Sequence, residues 1–169
     1  STAITHGSND VMLLTSGGKA ARFAESDVRA MGRTARGVRG VRMDEGQRVI
    51  AMIIPKEEGR VLTVSENGYG KRTPVEEFPC KGRGNRGVIA MAISERNGAL
   101  VGAVQVFEGD DLMLITDQGT LVRTRTDEVS LLSRNTQGVR VIRLREEEHL
   151  VGVQRVAESD VDEVVEELA

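Results

Sequence analysis

Aromatic side chains are almost missing from this chain of 169 residues: Phe23, Phe78, Phe107 and Tyr69 are the whole set, with no Trp. A core must therefore be built from Val, Ile, Leu, Met and Ala. Binding that stacks nucleobases on aromatic platforms is excluded as the main mode. Cysteine is scarcer still. Cys80 stands alone, so no internal disulfide can form, which suits a reducing compartment such as the cytoplasm. No apolar run approaches the ~20 residues of a membrane span, and no secretory leader is legible. His6 and His149 lie far apart, with no Cys or carboxylate cluster at ligand spacing, so no metal site is expected. No Ser/His/Asp or Cys/His set points to nucleophilic catalysis. Glu76 with Glu77, and Glu146 to Glu148, read as exposed turns and not as a catalytic carboxylate pair.

What the chain has in abundance is repetition. Gly18, Arg22 and Gly37 recur as Gly68, Arg72 and Gly87, and again as Gly119, Arg123 and Gly138, with spacings of 4 and 15 each time and periods of 50 and 51 residues. A fixed period of this size marks a repeated supersecondary unit. Each copy opens with an apolar run, a turn of Gly, Asn, Asp or Ser, and a second short run ending at the Arg, which is a hairpin signature. A third run follows (GVRGVRM from Gly37, GVIAMAI from Gly87, GVRVIRL from Gly138), then a fourth (from Val49, Leu100 and Leu150). Four short strands in about 50 residues is the size of a propeller blade. The expected fold is all-β: a propeller-like array of three four-stranded blades over 9–58, 59–109 and 110–157. Residues 1–8 are expected to supply the final strand of a preceding blade, with Ser1 to Thr5 as that strand, so the chain reads as a piece of something longer.

The formal net charge is −3, but its distribution is uneven. Residues 158–169 hold six acids and no Lys or Arg; without them 23 basic residues face 20 acidic ones, and the body carries a formal +3. A mildly basic body with an acidic tail is expected. The basic residues recur in place. Arg22, Arg72 and Arg123 end the second run of each repeat. The stretches Arg33–Gly37, Arg83–Gly87 and Arg134–Gly138 each put a basic residue four before the strand-opening Gly, and two of them add Arg36 or Arg86 just before it. Small residues keep such loops low and leave N–H groups open to phosphate oxygens. The candidate phosphate contacts are Lys19, Arg22, Arg33, Arg36, Arg39, Lys71, Arg72, Lys81, Arg83, Arg86, Arg123, Arg125 and Arg134. The same pattern also fits a solvated rim in which Arg guards strand edges, or a propeller whose basic rim docks an acidic protein. Gly82, Gly84 and Gly87 spell G-x-G-x-x-G, but the motif leads into a strand where a dinucleotide site needs a helix. Tyr69, in the turn after Gly68, replaces Lys19 and Thr120 of the other copies. It reads as a turn residue or as a lone contact residue.

The strings VRAMGRT at Val28, NGYGKRT at Asn67, ERNGALVGAVQV at Glu95, ITDQGTLVRTR at Ile115 and RNTQGV at Arg134, followed by the acidic tail, resemble the C-terminal domain family of bacterial DNA gyrase A across essentially the whole chain. The resemblance implies a β-pinwheel, a propeller with strands exchanged between blades. Its basic rim wraps duplex DNA in support of ATP-dependent negative supercoiling. The implied partners are duplex DNA and, in the parent heterotetramer, the gyrase A N-terminal region and gyrase B. The implied domain is non-catalytic and holds no cofactor, since the family's cleavage tyrosine, metal and ATP residues lie elsewhere. The family's box, Gln-Arg-Arg-Gly-Gly-Lys-Gly, belongs to its first blade. Lys81 to Gly87 is a degenerate copy that matches it at Arg83, Gly84 and Gly87, with Arg86 in place of Lys. The resemblance implies a ring of six blades, of which three would be half and would leave the end blades open, so self-association is also expected.

Overall fold

The computed structural model describes residues 1–157. Eleven strands form among them: β1 (Asp10–Thr15), β2 (Lys19–Ala24), β3 (Val49–Ile53), β4 (Arg60–Ser65), β5 (Tyr69–Pro74), β6 (Val88–Ile89), β7 (Leu100–Val106), β8 (Asp111–Thr116), β9 (Leu121–Arg125), β10 (Val139–Arg140) and β11 (Leu150–Val156). A single 3-10 turn follows β2, β5 and β9, at Glu25–Asp27, Val75–Glu77 and Thr126–Glu128.

Each repeat opens as the hairpin the sequence signals. β1–β2, β4–β5 and β8–β9 pair antiparallel. Gly18, Gly68 and Gly119 close the turns, their N–H groups donating to the carbonyls of Thr15, Ser65 and Thr116 at 3.0, 3.0 and 3.2 Å. Their φ values of 78°, 83° and 80° lie in the left-handed region, where a side chain is strained. The fourth run returns to the same sheet, with β3 on β1, β7 on β4 and β11 on β8.

The third run does not close its own blade. β6, from the second repeat, pairs with β2 of the first, and β10, from the third, pairs with β5 of the second. The sheets therefore run β3-β1-β2-β6, β10-β5-β4-β7 and β11-β8-β9, the last with three strands among the described residues. The array is a pinwheel, and repeat boundaries are not sheet boundaries. In the first repeat the run over 37–43 forms no strand; among the described residues Val41 makes an isolated bridge, to Asn85. Residues 1–9 likewise hold no strand, so Ser1 to Thr5 does not form the strand expected of it. Backbone becomes a strand only where an edge pairs it, and the described residues offer none there. The expected acidic tail, 158–169, lies outside the described residues.

Cores form between blades. Met12, Leu14, Val61, Val75, Phe78, Met91 and Leu100 make the first, Leu62, Val64, Leu112, Leu114, Val129 and Leu150 the second. The central β4 serves both, because alternate side chains point to opposite faces: Val61 enters one core, Leu62 and Val64 the other, and none is more than 1% exposed. β7 lies against both β3 and β11, so that edge of each sheet faces inward, and the donated runs lie at the outer edge.

The donated runs enter through the recurring glycines. Gly87 (φ 74°) and Gly138 (φ 76°) cross so close to the preceding blade that a Cβ would lie 2.5 Å from the Ala20 carbonyl oxygen and 2.7 Å from that of Gly70. Gly37 has φ 82° but open space around it. Gly138→Ala should therefore cost about 2–4 kcal/mol in urea unfolding, from strain plus a backbone clash, and Gly37→Ala about 1 kcal/mol, from strain alone. Equal losses would mean that the crossing is not constrained.

Candidate nucleic-acid interface

The arginines that recur at the repeat period are joints. Arg22, its side chain 12% exposed, donates from Nε to Asp10 at 2.7 Å and from its terminal nitrogens to Glu57 (3.2 Å) and to the carbonyls of Val75 (3.3 Å) and Phe78 (3.2 Å) in the next repeat. Arg72, one period on, donates from Nε to the Val129 carbonyl at 2.7 Å. Both hold the 3-10 turn of the following blade. Their backbones are engaged too: Lys81 N–H donates to the Arg22 carbonyl (2.8 Å), and Leu132 N–H to that of Arg72 (2.9 Å). Arg123, among the described residues, has no following blade against it. It keeps only Asp111, at 2.7 Å, and is about half exposed.

Lys71 is the largest departure from a rim contact. Its side chain is fully buried, and its ammonium donates to the carbonyls of Ser133 (2.8 Å), Arg134 and Thr136 (3.1 Å) and to Thr136 Oγ1 (3.0 Å). Glu77 completes the clasp by accepting from Arg134 N–H at 2.7 Å. Burial pulls the Lys71 amine down to about 8, Glu77 opposes that, and Arg134 adds to it. The loop before β10 is thus fastened from below. Nothing in the sequence signals this burial except the replacements Ala21 and Val122 at the equivalent positions, which show that the site faces inward.

The remaining candidates lie toward solvent. Arg33, Arg36, Arg39 and Lys81 are exposed, and among the described residues their side chains have no hydrogen bond or ion pair. Lys19, half-buried at the start of β2, has none either. Arg83 is exposed while donating to the carbonyls of Asp27 (2.9 Å) and Arg39 (3.1 Å), which ties the loop before β6 to the first repeat. Arg86 pairs with Asp44 at 2.9 Å and Arg125 with Asp127 at 3.0 Å, both with exposed side chains where such pairs are weak. Arg134 is half-buried, donating to the Ile89 carbonyl at 2.8 Å.

Sequence reasoning missed Arg42, Arg140 and Arg143. The signal was present: GVRGVRM and GVRVIRL put Arg two and five residues after the crossing glycine, where GVIAMAI has Ile89 and Ala92. Arg39, Arg42 and Arg86 line one shallow concavity with Asp44, and Arg140 and Arg143 line another. It also missed the role of Tyr69, which is only 4% exposed. Its hydroxyl oxygen accepts from Arg96 Nε (3.1 Å) and from an Arg140 terminal nitrogen (3.0 Å). These donors stabilise the phenolate and lower the phenol's pKa. Among the described residues no group of three or more His, Cys, Asp or Glu could hold a metal ion, and no helix is long and apolar enough to cross a membrane.

The DNA gyrase C-terminal domain, beta-propeller family matches residues 9–56, 59–106 and 110–157. The chain is 62% identical to the DNA gyrase A protein of Pseudomonas aeruginosa over 92% of its own length, and 55% identical to that of Escherichia coli over 95%. It spans only 17% and 18% of those relatives. Its fold is similar to a solved DNA gyrase A C-terminal domain (TM-score 0.83, 30% identity, covering 90% of this chain and 52% of that one). It is also similar in fold to a DNA topoisomerase IV C-terminal domain (TM-score 0.87, 23% identity, 98% and 52%).

Lys71→Met, which keeps the stem and removes the donors, should lower stability by about 2 kcal/mol by orphaning three carbonyls, partly offset by the desolvated charge it removes. The loss should depend on pH. Because the folded amine titrates near 8 and the unfolded one near 10.5, the unfolded chain binds more protons in that window and the native protein gains stability as pH rises through it. Urea midpoints across that range should diverge between the two proteins; parallel curves would show that Lys71 titrates normally.

Proposed function

The chain belongs to the DNA gyrase C-terminal domain family, and on that premise we propose that its exposed arginines bind the phosphates of duplex DNA and bend the duplex along the outer blade edges. One observation carries this reading: Arg33, Arg36, Arg39 and Lys81 are exposed cations with no acceptor among the described residues, on and beside the outermost runs of the array. Guanidinium and ammonium groups in that state are poised for phosphate oxygens, and exchange of condensed counterions supplies the driving force.

The mechanism is electrostatic and mechanical. Bending a 20–30 bp segment by 40–90° costs on the order of 1–6 kcal/mol, and several phosphate contacts along a curved edge offset it. Without a base-reading element, preference among sequences would come from deformability. The domain would serve as the non-catalytic wrapping part of a cytoplasmic gyrase, beside the gyrase A N-terminal region and gyrase B, and would itself need no cofactor. Two features, the edge of β9 that pairs with no further strand among the described residues and the run over 37–43 that forms no strand, would favour self-association when these blades stand alone.

Titration of duplex DNA in a salt series tests the reading. Neutralising about five phosphates should give log K a slope near −4 to −5 against log salt; a slope near zero would overturn it. Deleting residues 158–169 removes six negative charges and should tighten binding at low salt, with the difference fading as salt rises. Equal affinity at low salt would mean that the tail does not reach the DNA field.

A further inference from the structure

The cluster of Tyr69, Arg96 and Arg140 links two repeats by side-chain hydrogen bonds, but unlike Arg22, Arg72 and Lys71 its cations hold no carbonyl of a following blade among the described residues. Tyr69 opens β5, Arg96 lies in the loop before β7, and Arg140 comes from β10, donated by the third repeat and set opposite Tyr69 in the ladder. One buried phenol therefore gathers a cation from each of two repeats. Both guanidinium groups lie against its ring, at 5.1 and 5.2 Å from the centroid, and both donate to its oxygen. Two nitrogens bonded to one oxygen at 3.1 and 3.0 Å cannot be more than about 6 Å apart.

What sets this cluster apart is that two guanidinium groups share one phenol with no anion between them among the described residues. Arg22, Arg86, Arg123 and Arg125 each have a carboxylate, and Arg72, Arg83 and Arg134 each have a carbonyl. Among the described residues Arg96 and Arg140 have neither; Tyr69 is the sole acceptor for both, and its own O–H has none. Each exposed guanidinium keeps most of its five N–H donors free. The cluster is thus built of donors, carries two unneutralised positive charges held together against their repulsion, and faces solvent. An acceptor-only anion with several oxygens is the ligand that fits.

We infer that Tyr69, Arg96 and Arg140 form a fixed phosphate seat at the joint of the second and third blades, which takes one backbone phosphodiester of bound duplex DNA. Tyr69 is a positioning residue: it presets the two guanidinium groups, so that less side-chain freedom is lost on binding than at a free rim arginine. The seat occurs once. The positions equivalent to Tyr69 hold Lys19 and Thr120, and those equivalent to Arg96 hold Gly46 and Glu147. It would therefore fix the register of the duplex where the free rim cations only attract it. The inference rests on the duplex-binding reading.

Because Tyr69 is the only tyrosine, protein labelled with 3-fluorotyrosine gives a single fluorine NMR line from the seat itself. The line should move saturably as a duplex of about 30 bp is added. The double variant Arg96→Gln with Arg140→Gln should bind the duplex roughly three- to tenfold more weakly, with the salt slope shallower by about 1. Tyr69→Phe, which keeps both charges but frees them, should lose less affinity and leave the salt slope unchanged. Urea midpoints confirm that each variant folds, and the fluorine line is read on the unaltered sequence. If the unaltered chain binds duplex with a steep salt slope while the line stays still and the double variant binds equally well, the seat is disproved and the proposed function stands. A flat salt slope for the unaltered chain overturns both. A line that moves with inorganic phosphate but not with duplex overturns the assignment to a backbone phosphodiester.

Discussion

The structure depends on one crossing: the chain leaves its own hairpin and lays its third run on the outer edge of the blade before. Gly87 and Gly138 permit it, since each sits at positive φ with a carbonyl of the preceding blade where a Cβ would be. Once the run has crossed, its backbone groups pair with β2 or β5, and the blade behind it is committed in position and angle. The cores then fill between sheets, and a β-branched and leucine-rich composition suffices without aromatics because the middle sheet buries a face against each neighbour. The blade ends follow from the same rule. Among the described residues β9 receives no donated run, and the run over 37–43 forms no strand.

The crossing also sorts the basic residues into two kinds. A chain that passes over its neighbour brings bare carbonyls with it, from the 3-10 turn and from the loop that follows. Those carbonyls need donors, and Arg22, Arg72 and Lys71 supply them from beneath. A cation committed to several carbonyls in a half-buried joint is removed from the surface field. The loop and the donated run themselves lie outermost, and the cations they carry outward (Arg33, Arg36, Arg39, Lys81, Arg140, Arg143) are the ones the proposed duplex would meet. The same repeat thus yields a fastening position and a contact position about fifteen residues apart.

Much of this is legible in the sequence, for a physical reason in each case. The period, the hairpins and the all-β class are readable because apolar runs and turn glycines are local signals. The recurring Gly37, Gly87 and Gly138 are visible as well, but their meaning is not, because which edge a strand joins is a non-local choice that local pattern does not encode. For that reason local pattern groups the third run with its own repeat and suggests a strand over Ser1 to Thr5, and only the family resemblance implies the exchange. For the basic residues, recurrence is the misleading signal. Arg22 and Arg72 repeat because every joint needs a donor, whereas surface cations are free to vary, and Arg39 with Arg42 has no charged counterpart at Ile89 and Ala92. Lys71 and Tyr69 escape the pattern for a related reason. Each is an exception within the repeat, and only the fold shows that one is enclosed by a neighbour's loop and the other gathers two arginines.

The central claim is that fastening and phosphate contact are separate duties of separate arginines, and paired variants read both at once. Arg22→Gln with Arg72→Gln should lower the urea midpoint and leave the salt slope of duplex binding unchanged. Arg33→Gln with Arg36→Gln and Arg39→Gln should leave the midpoint unchanged and flatten the slope by about 1 for each phosphate no longer neutralised. The opposite pattern, a flattened slope at full stability for the first pair and an unaltered slope for the second set, would contradict the account.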